Sequence, residues 1–128
     1  MAEVVVDASA IVDLLLHNEV GGAVRRRLVG DAMHAPAHLY AEVLSALGWL
    51  HRAGDLEADD VESRLQTLAT APIQRHDVSA LLIGTWARRH QLRLVDAMYV
   101  QLAVTLDHPL VTTDRRLHAA PCAEVVVA

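Results

Sequence analysis

The chain has 128 residues, 53% of them hydrophobic and 21% charged, with a formal net charge of −5. That balance excludes a disordered segment, and Gly 6 and Pro 4, scattered rather than periodic, exclude a collagenous or linker-like chain. The length fits one domain, residues 1–128, able to bury roughly two-thirds of its unfolded surface.

Cys122 is the single cysteine, so no internal disulfide is expected and a reducing, cytoplasmic setting is. Met1-Ala2-Glu3-Val4 carries no basic stretch of the signal-peptide kind, and no apolar run approaches the roughly 18 residues of a membrane span. All eleven Lys+Arg are arginines. Without lysine, a Gly-Lys-Ser/Thr phosphate loop and Schiff-base catalysis are both excluded.

In chain order, Val4-Val5-Val6 is a β-branched run suited to a strand buried on both faces. Asp7-Ala8-Ser9 ends it and caps a helix over Ala10 to Leu16. Gly21-Gly22 leads into a basic helix carrying Val24, Leu28 and Val29. Asp31 to Ala35 forms a second strand, and Pro36 opens the helix that runs from Leu39 to Arg52 and stops at Gly54. Asp59 and Asp60 open another, with Val61, Leu65 and Leu68 on its apolar face. Pro72 to Arg75 reads as a strand, Asp77 caps a helix through Ala87, and Asp96 begins the apolar helix Ala97 to Leu106. Leu110-Val111-Thr112 is a strand, Thr113-Asp114 caps a short helical turn, and Val125 to Val127 is a terminal strand. Short buried strands alternating with helices predict an α/β domain with a parallel sheet.

Four carboxylates stand in apolar surroundings: Asp7, Glu42, Asp96 and Asp114. N-capping accounts for Asp7, Asp96 and Asp114 taken singly. Glu42 lies at the edge of the stripe Leu39, Val43, Ala46 and Leu50, where an acid needs a salt bridge to an arginine or a metal. In an open parallel sheet all four fall near the carboxyl edge, where such sheets place their sites. Converging carboxylates repel unless cations join them, and an all-oxygen set selects Mg²⁺ or Mn²⁺.

Val4-Val5-Val6-Asp7-Ala8-Ser9-Ala10, Ala35-Pro36 with Glu42-Val43, Asp96-Ala97-Met98-Tyr99-Val100 and Leu110-Val111-Thr112-Thr113-Asp114 resemble the successive motifs of PIN domains. The small size resembles the VapC-type toxins of bacterial toxin–antitoxin pairs. The resemblance implies a three-layer α/β/α fold with a short-stranded parallel central sheet. It implies a Mg²⁺- or Mn²⁺-dependent endoribonuclease with Asp7, Glu42, Asp96 and Asp114 as catalytic, metal-holding acids and Ser9 and Thr112 as auxiliary polar groups. It further implies a VapB-type antitoxin partner and a homodimer. Leu117 stands where many relatives carry Phe, and Thr112 where some carry a further acid or amide.

The remaining candidates are weaker. His34 and His38 straddle Pro36 and no His-Glu-x-x-His occurs, so zinc is not expected. No Gly-x-Ser-x-Gly elbow supports a serine triad. Net acidity runs against nucleic-acid binding, yet arginines cluster, and Arg115-Arg116 beside Asp114 is the best RNA contact. Trp49, Trp86, Tyr40 and Tyr99 are expected in the core or an interface. The alternatives to a ribonuclease are a non-catalytic RNA- or protein-binding module and a metal-dependent phosphohydrolase.

Overall fold

The structure, a computed structural model, describes residues 2–128. Its elements run β1 (Glu3–Val6), α1 (Ala8–Leu16), α2 (Glu19–Leu28), β2 (Ala32–Pro36), α3 (Leu39–Arg52), α4 (Ala58–Thr70), β3 (Ile73–His76), a 3₁₀ turn (Val78–Leu81), α5 (Leu82–Ala87), α6 (Leu94–Leu106), β4 (Leu110–Thr112), a second 3₁₀ turn (Arg115–Leu117) and β5 (Ala123–Val125). The five strands form one sheet in the order β3-β2-β1-β4-β5, every pairing parallel. Helices flank it: α6 lies along β1, β2 and β4, while α1 packs on α2, α3 and α4.

The central strand explains its own sequence. Val4, Val5 and Val6 are each 0% exposed, since helices cover both faces of β1. Strand order reverses around β1, whose neighbours are β2 on one side and β4 on the other. The crevice outside the carboxyl ends of β1 and β4 is therefore the switch point at which open α/β sheets bind ligands. Asp7 follows β1 and Asp114 follows β4 at that point. The backbone bond from Asp7 N–H to Val111 C=O fixes the two strand ends together.

Several boundaries differ from the sequence reading, each for a local reason. Pro36 ends β2 instead of opening α3, since its missing N–H is tolerated at a strand end. Gly21 and Gly22 lie inside α2, which Asn18 caps by accepting from Gly21 N–H. A Cβ on Gly21 would stand 2.0 Å from the Asp13 carbonyl oxygen, so only glycine permits this approach of α2 to α1. The Asp77 cap starts a 3₁₀ turn before α5 rather than one long helix. The last strand is Ala123–Val125, not Val125 to Val127. Trp49 and Trp86 are 62% and 56% exposed and lie outside the core, whereas Tyr99 is 2% exposed and inside it. Among the described residues no helix is long and apolar enough to cross a membrane.

Candidate active site

Asp7, Glu42, Asp96 and Asp114 line one cleft of about 160 Å³, together with Ala8, Ser9, Arg93, Tyr99 and Arg116. Each acid arrives by a different route. Asp7 caps α1, accepting from Ala10 N–H through Oδ1 at 3.0 Å. Glu42 sits in the first turn of α3. Asp96 is not a cap as expected: Arg93 holds the N-cap position of α6, Leu94 begins the helix, and the Asp96 carboxylate is left for other partners. Asp114 caps the second 3₁₀ turn by accepting from Arg116 N–H.

The four are electrostatically unlike. Asp7 is only 4% exposed, and burial pushes its carboxyl up to about 6, against hydrogen bonds from Thr112, Ala10 and Ser9 that favour the ionised form. Ser9 Oγ donates to Oδ1 at 2.8 Å and Thr112 Oγ1 donates to Oδ2 at 2.5 Å. Those hydroxyls in turn accept from Thr113 N–H and Asp114 N–H. Ser9 and Thr112 thus bind the carboxylate to the β4 end of the sheet. None of these partners carries positive charge, so the buried acid is stabilised by dipoles alone.

Among the described residues Glu42 pairs with no arginine, the salt-bridge partner expected from the sequence. Tyr99 Oη donates to its Oε1 at 2.5 Å, and His38 Nε2 lies 3.4 Å from the same oxygen. Burial first, and the Glu42 contact second, push the Tyr99 phenol well above its ordinary range, so it remains a donor. Tyr99 therefore aims Glu42 into the cleft from the core side of α6. The sequence reading placed Tyr99 in the core but missed this role; the signal was its position three residues after Asp96, one helical turn along the same face.

Arginines hold the other two acids. Arg116 grips Asp114 through two bonds, Nε to Oδ1 at 3.0 Å and Nη2 to Oδ2 at 2.7 Å. That guanidinium holds the Asp114 carboxyl below its ordinary range. Arg93 Nε donates to Asp96 Oδ2 at 3.1 Å. Both arginine side chains are largely exposed, at 68% and 69%, so they sit over the cleft mouth rather than in its floor. Arg116, expected to contact RNA, is thus engaged with Asp114, whereas the exposed Arg115 makes no such pairing among the described residues.

The donor set facing the cleft is all oxygen from carboxylates, with hydroxyls behind. It fits a hard divalent cation such as Mg²⁺ or Mn²⁺, and the uncompensated Asp7 carboxylate on its floor is the feature such a cation would neutralise.

The sequence matches the family described as PIN domain over residues 4–121. It is 55% identical over 119 residues to Ribonuclease VapC3 of Mycobacterium tuberculosis, covering 92% of this chain and 87% of the relative. Its fold is similar to the crystal structure of M. tuberculosis VapC20, a Sarcin-Ricin loop cleaving toxin, with TM-score 0.72, 16% identity, and coverage of 97% and 99% of the two chains. It is also similar to VapBC2 from Rickettsia felis bound to a DNA fragment from their promoter, with TM-score 0.69, 13% identity, and coverage of 98% and 99%.

Proposed function

We propose, from the premise that this chain belongs to the PIN-domain family and to its VapC ribonucleases, that RNA cleavage takes place in the carboxylate cleft with the help of Mg²⁺ or Mn²⁺. The chain is an endoribonuclease of the toxin–antitoxin kind; the metal, the residues and the partners are our reading. The observation that carries it is the convergence of Asp7, Glu42, Asp96 and Asp114 on one cleft at the switch point of the sheet.

Asp7 and Asp96 are the firmest ligands, with Glu42 and Asp114 completing the set or orienting water. When bound, a divalent cation supplies Lewis acidity toward the phosphodiester and makes water in the cleft easier to deprotonate. Ser9 and Thr112 fix the Asp7 oxygens by donating to them, and Tyr99 fixes Glu42. Arg116 and Arg93 must release Asp114 and Asp96 for those acids to take a cation. Released, their guanidinium groups stand at the cleft mouth, where they can bind the phosphates of an incoming strand. Arg115 lies beside them.

The VapC relationship supports a VapB-type antitoxin as protein partner. The apolar groove of about 350 Å³ lined by Ile11, Leu14, Leu15, Met33, Leu68 and Ile73 offers a helix-binding surface for it. Exposed Leu82, Ile83 and Trp86 on α5 support contact with a second copy of the chain.

The test sets a structured RNA beside a chromogenic phosphoester, each with Mg²⁺ and with EDTA. Cleavage of RNA alone, abolished by EDTA, is expected. Turnover of the small phosphoester would support a phosphohydrolase, and binding of RNA without cleavage a non-catalytic module.

A further inference from the structure

We propose that Glu3, His34 and His108 form a second cation site, separate from the carboxylate cleft, that takes Zn²⁺. The three residues come from neighbouring strands: Glu3 begins β1, His34 lies within β2, and His108 stands two residues before β4. Glu3 and Asp7 lie at opposite ends of β1, about 13 Å apart at the rise of an extended strand. The ion would therefore not share ligands with the cleft.

The ligand atoms lie close enough together to share one ion. His34 Nε2 lies 2.9 Å from Glu3 Oε1, and His108 Nε2 lies 3.6 Å from Glu3 Oε2. One atom from each of the three lies within 4.8 Å of the others. Ligands about 2.0–2.1 Å from a tetrahedral Zn²⁺ stand roughly 3.3 Å from one another, a spacing these side chains reach by small rotations within their 4.8 Å spread. Two imidazoles and one carboxylate form a nitrogen-rich set that selects Zn²⁺ over Mg²⁺. Glu3 and His108 are partly exposed, which leaves a fourth position for water and a path of entry.

The surroundings orient the buried ligand. His34 Nδ1 lies 2.9 Å from His76 Nε2. In the metal-free protein a hydrogen bond joins His34 Nε2 to Glu3 Oε1; a cation would take the place of that proton, with the ring proton on Nδ1 donated to His76 Nε2. A ligating histidine commonly donates its second ring N–H to such a partner, which fixes tautomer and ring plane. The tilted stack of His34 with His108, centroids 5.6 Å apart, holds the second ring in place. No consecutive motif encodes this site, because its ligands are 31 and 74 residues apart along the chain.

The test is titration of the purified protein with Co²⁺, whose visible absorption is intense only in tetrahedral sites, followed by displacement with Zn²⁺. One tetrahedral Co²⁺ per chain is expected, unchanged in Asp7→Asn and Asp96→Asn, lost in Glu3→Gln and in His108→Ala, and weakened about 10- to 100-fold in His76→Asn. Glu3→Gln alters a half-exposed side chain and leaves the fold intact by circular dichroism, so the outcome stands if His108→Ala misfolds. Absence of the intense band in the wild type, as when a proton alone joins His34 to Glu3, would overturn the proposal. Its persistence in Glu3→Gln would do the same.

Discussion

Replacing Asp7 with asparagine is expected to stabilise the metal-free protein while it abolishes cleavage. The wild-type carboxyl is raised from 3.8 to about 6, with burial the main cause. A shift of roughly 2 units corresponds to about 3 kcal/mol of penalty on the ionised, folded state. Because the folded protein holds this proton more tightly than the unfolded chain, the penalty is absent below 3.8, grows as pH rises through about 6, and is constant above. Asparagine keeps the cap, since its carbonyl oxygen still accepts from Ala10 N–H and Ser9 Oγ. Its NH₂ replaces Oδ2 opposite Thr112 Oγ1. That hydroxyl can turn its proton to Ser9 Oγ, 3.1 Å away, and accept from the new amide. Every polar atom keeps a partner.

Thermal melts in EDTA should therefore place Asp7→Asn above the wild type by roughly 10 °C at pH 8, with the gap closing toward pH 4. Mg²⁺ should raise the wild type by about 1.4 kcal/mol at ten times its dissociation constant and the variant by much less. A variant that melts below the wild type in EDTA and gains as much from Mg²⁺ would make Asp7 a helix cap and nothing more.

Other perturbations follow from the same contacts. Tyr99→Phe removes the donor to Glu42 and should cost about 1 kcal/mol of stability and slow cleavage at saturating RNA more than it raises KM; an unchanged kcat refutes the positioning role. Arg116→Ala should tighten Mg²⁺ binding, measured by calorimetry, because Asp114 loses its competing cation, and should raise KM for RNA. In the wild type the lowered Asp114 carboxyl contributes stability above its unfolded value near 3.8 that is lost as pH falls through the lower folded value; acid titration of Arg116→Ala should lack that loss. Gly21→Ala should destabilise by about 1–3 kcal/mol in urea denaturation, since its Cβ would overlap the Asp13 backbone.

What the sequence disclosed followed from topology. Val4-Val5-Val6 and Leu110-Val111-Thr112 are legible as buried parallel strands, and acids directly after such strands must emerge at one edge. Asp7 and Asp114 could be placed on that ground, and Glu42 by its position where a helix faces the protein body. Side-chain partnerships were not legible. Tyr99 shares a helix face with Asp96, but its partner Glu42 lies 57 residues away along the chain, so the bond itself left no local pattern. Arg116 could be read as free for RNA because nothing in Asp-Arg-Arg tells that the guanidinium folds back onto Asp114 two residues earlier. The helix starts were misread where proline and glycine serve tertiary needs: Pro36 closes a strand, and Gly21 permits a helix–helix contact.

The most direct test of the central claim is the rate of RNA cleavage by wild type and Asp96→Asn at saturating Mg²⁺, with Mn²⁺ and EDTA as parallel arms. Asp96 is not a helix cap, so the substitution should leave the melting curve in EDTA in place. Cleavage should stop in EDTA, return with either ion in the wild type, and fall by orders of magnitude in the variant. Wild-type rates in Asp96→Asn, or cleavage that continues in EDTA, would contradict a metal-dependent carboxylate site.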